Sequence, residues 1–108
     1  MPDAQDSTRM RRHAGDAARL LKALANEKRL QVLCLLAEGE RSVGDLNALL
    51  DLSQSALSQH LAVLRADGLV RTRREGQTIH YALEGGPAQR VMQTLHEIYC
   101  GADRTSTA

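Results

Sequence analysis

Two cysteines, Cys34 and Cys100, and a cluster of short polar side chains, Gln54, Ser55, Ser58 and Gln59, are the residues of this chain whose types can do chemistry. A thiolate attacks electrophilic sulfur, oxidants and soft metals, so two thiols far apart in sequence form a bridge only where the fold brings them together. Serine and glutamine present donors and acceptors without net charge, a combination suited to reading base edges in a major groove. The chain carries no nucleophile and base pair, glycine-rich phosphate loop or metal-ligand motif. No catalytic residue, metal or cofactor is therefore assigned, and an enzyme is not expected.

The totals constrain what can position these groups. A chain of 108 residues with 43% hydrophobic content supports one small core, with little to spare for helices at its edges. Fourteen basic against thirteen acidic residues leave a formal net charge of +1, so overall charge does not announce a polyanion partner. Local charge does more: Arg65, Arg71, Arg73 and Arg74 fall in one ten-residue stretch opposed only by Asp67, a pattern that fits a phosphate-binding edge and equally a solvated arginine-rich hairpin. The N-terminal residues lack the apolar core of a signal peptide, and no segment has the ~20 apolar residues needed to span a bilayer. The expectation is a cytoplasmic protein with no membrane partner and with reduced thiols.

Periodicity then places the elements. Ala14, Ala17, Leu20, Leu21 and Leu24 mark a first amphipathic helix over residues 11–24. Asn26 suits an N-cap for a second, running 27–38, which is apolar nearly all round and is expected to be central and buried, with Cys34 in it. Ser42 followed by Asp45 is a capping-box pattern that opens a third helix. Ser53 caps a fourth, in which Leu57, Leu61 and Leu64 form the inward stripe and Gly68 stops the chain. Val70, Thr72, Ile79, Tyr81 and Leu83 alternate as strand residues around a tip at Glu75-Gly76. Pro87 opens a last helix ending at Cys100. This is a mainly α fold with a small β-hairpin wing, a winged helix-turn-helix. Its organisation is a flexible segment 1–10, a domain 11–100 and a flexible tail 101–108.

On the fourth helix Ser55, Ser58, Gln59 and Ala62 project opposite Leu57 and Leu64, with Gln54 and Arg65 on the flank. That face can enter a major groove of double-stranded DNA, Gln pairing with adenine and Arg reaching phosphate. A merely solvated helix presents the same composition, but the capped preceding helix, the short turn and the basic hairpin argue against it. His60 points beside Leu57 and Leu64 and is assigned to packing or a phosphate contact. Arg73, Arg74, Gln77 and Thr78 flank the wing tip and are candidates for the DNA backbone or minor groove. His80 alternates onto the side of Thr78.

The stretch LSQSALSQHLAVLRADGLVRTRREGQTIHY resembles the DNA-binding core of the ArsR/SmtB family of winged-helix repressors, and LLKALANEKRLQVLCLLAEGERSVGDL resembles the helices before it. The resemblance implies a homodimer paired through its terminal helices, reading an inverted-repeat operator. Metal-sensing members carry ELCVCDL in the third helix. Here Glu40, Arg41, Ser42, Val43, Gly44, Asp45 and Leu46 stand in its place, so both sulfur positions are lost. The last helix offers only His96 and Glu97, which are adjacent and diverge; His13 and His96 meet only if a dimer joins them.

Cys34 in VLC and Cys100 in HEIYC resemble the BigR, SqrR and HlyU subgroup, which senses reactive sulfur species through two such cysteines. The resemblance implies that persulfide or polysulfide modifies or bridges the pair and releases the operator. A small core residue is the bland alternative for Cys34. For Cys100, a position at a helix C-terminus would work against a thiolate. Two further alternatives stand: a thiol-oxidant or metal(loid)-responsive repressor of the same fold, and a winged helix used for protein contacts, whose binding to DNA would show no salt dependence.

Overall fold

Side-chain caps set the helix boundaries where the sequence pattern places them. The Asn26 side chain accepts a hydrogen bond from the Arg29 amide at 3.0 Å, opening α3 (Glu27–Glu38). Arg29 in turn donates to the carbonyls of Ala23 and Lys22 at 2.6 and 3.2 Å, closing α2 (Ala14–Leu24). The Ser42 hydroxyl and Asp45 carboxylate form a reciprocal capping box at the start of α4 (Val43–Leu49). Ser53 accepts from the Ala56 amide at 3.1 Å to start α5 (Gln54–Ala66). Each of these satisfies amides or, for Arg29, carbonyls that a helix terminus leaves without an internal partner.

The end of α5 is a Schellman motif. The Gly68 amide donates to the Arg65 carbonyl at 3.0 Å and the Leu69 amide to Leu64 at 2.9 Å, with Gly68 at φ +71°, which only glycine adopts without strain. Leu64 and Leu69, the apolar pair that accompanies this motif, are both buried.

The structure, a computed structural model, describes the backbone of residues 4–107 and the side chains of residues 6–101. It adds α1 (Ala4–Arg12), and α6 runs Pro87–Thr107. The segments 1–10 and 101–108, expected to be flexible, are helical over their described parts; residues 1–3 and 108 lie outside the described residues. Periodicity missed α1 because it has no apolar stripe. It carries Asp6 in its first turn, Arg9, Arg11 and Arg12 in its last, and an Arg9–Asp6 pair at 3.9 Å, which complement the helix dipole. α1 and α2 are nearly continuous, since the His13 amide bonds both Arg9 and Met10 carbonyls at the break.

The wing is a hairpin of β2 (Val70–Glu75) and β3 (Thr78–Leu83), and a two-residue strand β1 (Arg41–Ser42) adds to its other side, giving the antiparallel order β1-β3-β2. Glu75 pairs with Thr78, so the tip is Gly76-Gln77, one residue later than expected, with Gly76 at the positive φ that a tight hairpin loop demands. β1 is too short to show alternation, which is why the sequence pattern passed over it.

Leu33, Leu46, Leu57, Leu64 and Val32 are fully buried and knit α3, α4 and α5 into one core. Leu24, Leu69, Val70 and Met92 extend it under α2, the wing and α6. α3 is less central than its composition suggests: Val32, Leu33 and Leu36 are buried, while Cys34, Ala37 and Glu38 are exposed. The core is built on one face of α3, and α6 leaves the other partly open.

Candidate nucleic-acid interface and thiol groove

Burial of Leu57, Leu61 and Leu64 fixes the rotation of α5, and the opposite face follows from it. Gln54, Ser55, Ser58, Gln59, Ala62 and Arg65 are all exposed. Among the described residues, the side chains of Gln54, Ser58, Gln59 and Arg65 make no hydrogen bond or ion pair, so their donors and acceptors are open to a ligand; Ser55 only meets Ser53 at 3.4 Å. His60 is half-buried on the flank, between the two faces. Gln54, at the start of α5, lines a hollow of about 780 Å³ together with Gln77, Thr78 and Ile79 of the wing and residues of α4, so this one reading-helix residue shares an opening with the wing tip.

The basic wing residues are not equivalent. Arg73 and Arg74 are neighbours on a strand and project to opposite faces of the sheet. Arg73 stands in a cross-strand row with His80 and Ser42, whereas Arg74 is opposite Ile79. Arg73 is fully occupied: its guanidinium donates to both Glu40 carboxylate oxygens at 2.7 and 3.2 Å and to Glu75 at 3.0 Å. These bonds hold the Glu40 carboxyl below the usual range and push the guanidinium further up. Arg71 donates to the Leu83 carbonyl and Glu84, at 3.0 and 3.4 Å. Arg74 bonds only the nearby Gly76 carbonyl at 3.1 Å, leaving its charge uncompensated among the described residues. Of the acids that answer these arginines, Glu75 is close to Arg73 in sequence, whereas Glu40, more than thirty residues away, is brought to it only by the fold.

Asp67 supplies another link absent from the sequence pattern. Arg19 grips one of its carboxylate oxygens at 2.8 and 2.9 Å, tying α2 to the end of α5. An acid at that helix end opposes the dipole, and the arginine offsets it.

The two cysteines line one groove of about 650 Å³ between α3 and α6. Both are free thiols and both are exposed, so Cys34 is not a small core residue. Glu38 lies one turn beyond Cys34 and is paired with Arg41 at 2.8 Å; His96 lies one turn before Cys100; Met92 and Leu83 close the floor. The Cys34 thiol is pushed up, first by the desolvation that the groove imposes even on an accessible residue, then by the charges of Cys100 and Glu38. Cys100 is not at a helix end. α6 continues to Thr107, and a dipole effect confined to the last turn does not reach it. Among the described residues no three His, Cys, Asp or Glu side chains are placed to hold a metal ion, and no helix is long and apolar enough to cross a membrane.

Residues 26–72 match the family described as bacterial regulatory protein, arsR family. The chain is 53% identical to the transcriptional activator HlyU of Vibrio cholerae, over 88% of each chain. It is 47% identical to the biofilm growth-associated repressor of Agrobacterium fabrum, over 87% of this chain and 80% of the relative. The crystal structure of the transcriptional repressor BigR from Xylella fastidiosa superimposes with a TM-score of 0.80 at 40% identity, covering 87% of this chain and 96% of that one.

Proposed function

Because the chain belongs to the arsR family of bacterial regulatory proteins and is a winged-helix, DNA-binding transcription regulator, we propose that it is a cytoplasmic homodimeric repressor that leaves its operator when persulfide or polysulfide bridges Cys34 and Cys100. The observation that carries this reading is the shared groove: two exposed thiols from α3 and α6 face one opening beside a fully buried core. The relatives' names divide between activator and repressor, and the repressor assignment rests on the resemblance to the repressors among them.

DNA contact is assigned to Gln54, Ser55, Ser58 and Gln59 for base edges, with Arg65, Arg74, Gln77 and Thr78 at the phosphates and His60 on the flank. Arg73 is a contact only if DNA displaces Glu40 and Glu75. Dimer pairing is assigned to the terminal helices. Large apolar residues stand exposed near both ends of the chain, Leu21 at 59% on α2 and Ile98 at 59% and Tyr99 at 73% on α6, more than a lone helix face would leave in water.

In the proposed reaction one cysteine thiolate attacks the outer sulfur of an organic persulfide, RSSH, expelling RSH and leaving Cys-SSH. A second persulfide extends it to Cys-SSSH with loss of another RSH. The other cysteine then attacks the middle sulfur and expels hydrogen sulfide, closing a Cys-S-S-S-Cys bridge. Two thiols and two persulfides thus yield the bridge, two RSH and one hydrogen sulfide. A direct disulfide needs Cα atoms about 4.4–6.8 Å apart, so added sulfur spans a wider separation with less helix movement. A coupling of about 1–3 kcal/mol between bridge and DNA sites lowers operator affinity about 5- to 150-fold.

A mobility-shift assay on the promoter of its own gene tests this. Reduced protein should bind, glutathione persulfide should release it, and Cys34→Ser and Cys100→Ser proteins should stay bound. Release of either variant overturns the reading. By intact mass, the released protein should gain sulfur and lose two hydrogens; loss of hydrogens alone would assign a general thiol-oxidant sensor instead.

A further inference from the structure

The groove treats its two sulfurs differently. On α3, Cys34 shares its face with Glu38, a carboxylate one turn away. On α6, Cys100 shares its face with His96, an imidazole one turn away, and both side chains open into the same space. Glu97 also lines the groove, β3 contributes only Leu83 to it, and Arg41 reaches it through Glu38. His96 is thus the one basic side chain in the lining, and it stands beside one thiol only.

Resting on the sulfur-sensing reading above, we propose that Cys100 is the attacking thiol, that His96 accepts its proton, and that Cys34 is the resolving thiol that closes the bridge. Each thiol has a carboxylate one turn away, Glu38 for Cys34 and Glu97 for Cys100, but only Cys100 also has an imidazole there. The geometry assigns the order because a thiol next to a neutral imidazole can hand over its proton and keep a cation beside the new thiolate, and Cys34 has no such partner on its helix. Burial, the charge of Cys100 and the charge of Glu38 together keep Cys34 protonated, which suits a group that must wait.

In the first step the Cys100 proton moves to His96, and the thiolate forms a bond to the outer sulfur of RSSH. The S–S bond of the persulfide breaks, and the departing RS⁻ takes the proton back from the imidazolium as RSH. The net change is Cys100-SH and RSSH to Cys100-SSH and RSH, with His96 regenerated.

Single-thiol proteins separate the two roles. Full-length Cys34→Ser and Cys100→Ser proteins are mixed with limiting glutathione persulfide, quenched with acid at short times and read by mass. Cys100 in the first should gain sulfur about tenfold faster than Cys34 in the second. Adding His96→Gln to the Cys34→Ser protein should slow it about tenfold near neutral pH, with the gap closing as pH rises and the thiol ionises unaided. A packing role for His96 would slow the reaction equally at every pH. Equal rates at the two cysteines, a faster Cys34, or a His96 effect that is absent or independent of pH overturns the assignment. These readouts involve no DNA, so sulfur addition in the expected order without operator release would defeat the regulatory reading and leave the order intact.

Discussion

The wing and the thiol groove handle ionisable side chains in opposite ways. In the wing, Arg71 and Arg73 meet Glu84, Glu40 and Glu75 in short ion pairs, so most of the charge cancels before any ligand arrives. In the groove Glu38 is answered by Arg41, but the side chains of His96, Glu97 and Cys100 make no hydrogen bond or ion pair among the described residues. Pairing gives shape: Arg73 joins β2 to Glu40, the residue preceding β1, and so ties the hairpin to the segment after α3. Lack of pairing leaves reactivity, and it costs little because these groups remain in contact with water. One small core therefore serves a preset reading surface and an uncommitted chemical one.

The two regions share Leu64 and its neighbours, and the strongest way to break the contrast is to remove that shared support. Leu64→Ala should destabilise the protein by about 2–5 kcal/mol, seen in thermal or urea unfolding, and impair operator binding and thiol chemistry together. Gln59→Ala, next in size, should cost about 1–3 kcal/mol of operator affinity while leaving sulfur addition at Cys100 unchanged. Equal effects on both would mean that the regions are not separable. Ser53→Ala removes the α5 cap and should cost about 1 kcal/mol of stability by the same unfolding measurement.

Smaller effects sharpen the account of the wing. Arg74→Ala should lower the salt dependence of operator binding by about one counterion, and Arg73→Ala by less, since Arg73 is already neutralised. A larger loss at Arg73 would show that DNA takes it from Glu40. The Glu40 carboxyl, depressed by the Arg73 hydrogen bond, stabilises the wing above the ordinary glutamate range. That contribution is lost as pH falls through its lowered folded value. In a carboxyl-resolved NMR titration, Arg73→Ala should raise the Glu40 midpoint back toward that of a free glutamate.

Much of this was legible in the residues. Capping signals at Asn26, Ser42 and Ser53 are local, because a side chain reaches an amide only three residues on, and each forms as expected. The inward leucines of α5 fixed its rotation and so the outward set of Gln54, Ser58 and Gln59. Features carried by side chains distant in sequence were not legible: the Glu40–Arg73 and Arg19–Asp67 pairs, the strand β1, and the polar helix α1 that lacks an apolar stripe.

Periodicity and short-range hydrogen bonding are functions of neighbours along the chain, so the sequence by itself determined the kinds of element, their order and the face that α5 turns outward. The meeting of Cys34 with Cys100 in one groove depends on how α6 packs back across α3. Only the tertiary structure decided that, because the position of one helix over another follows from the volume and burial of the whole core and not from any local spacing.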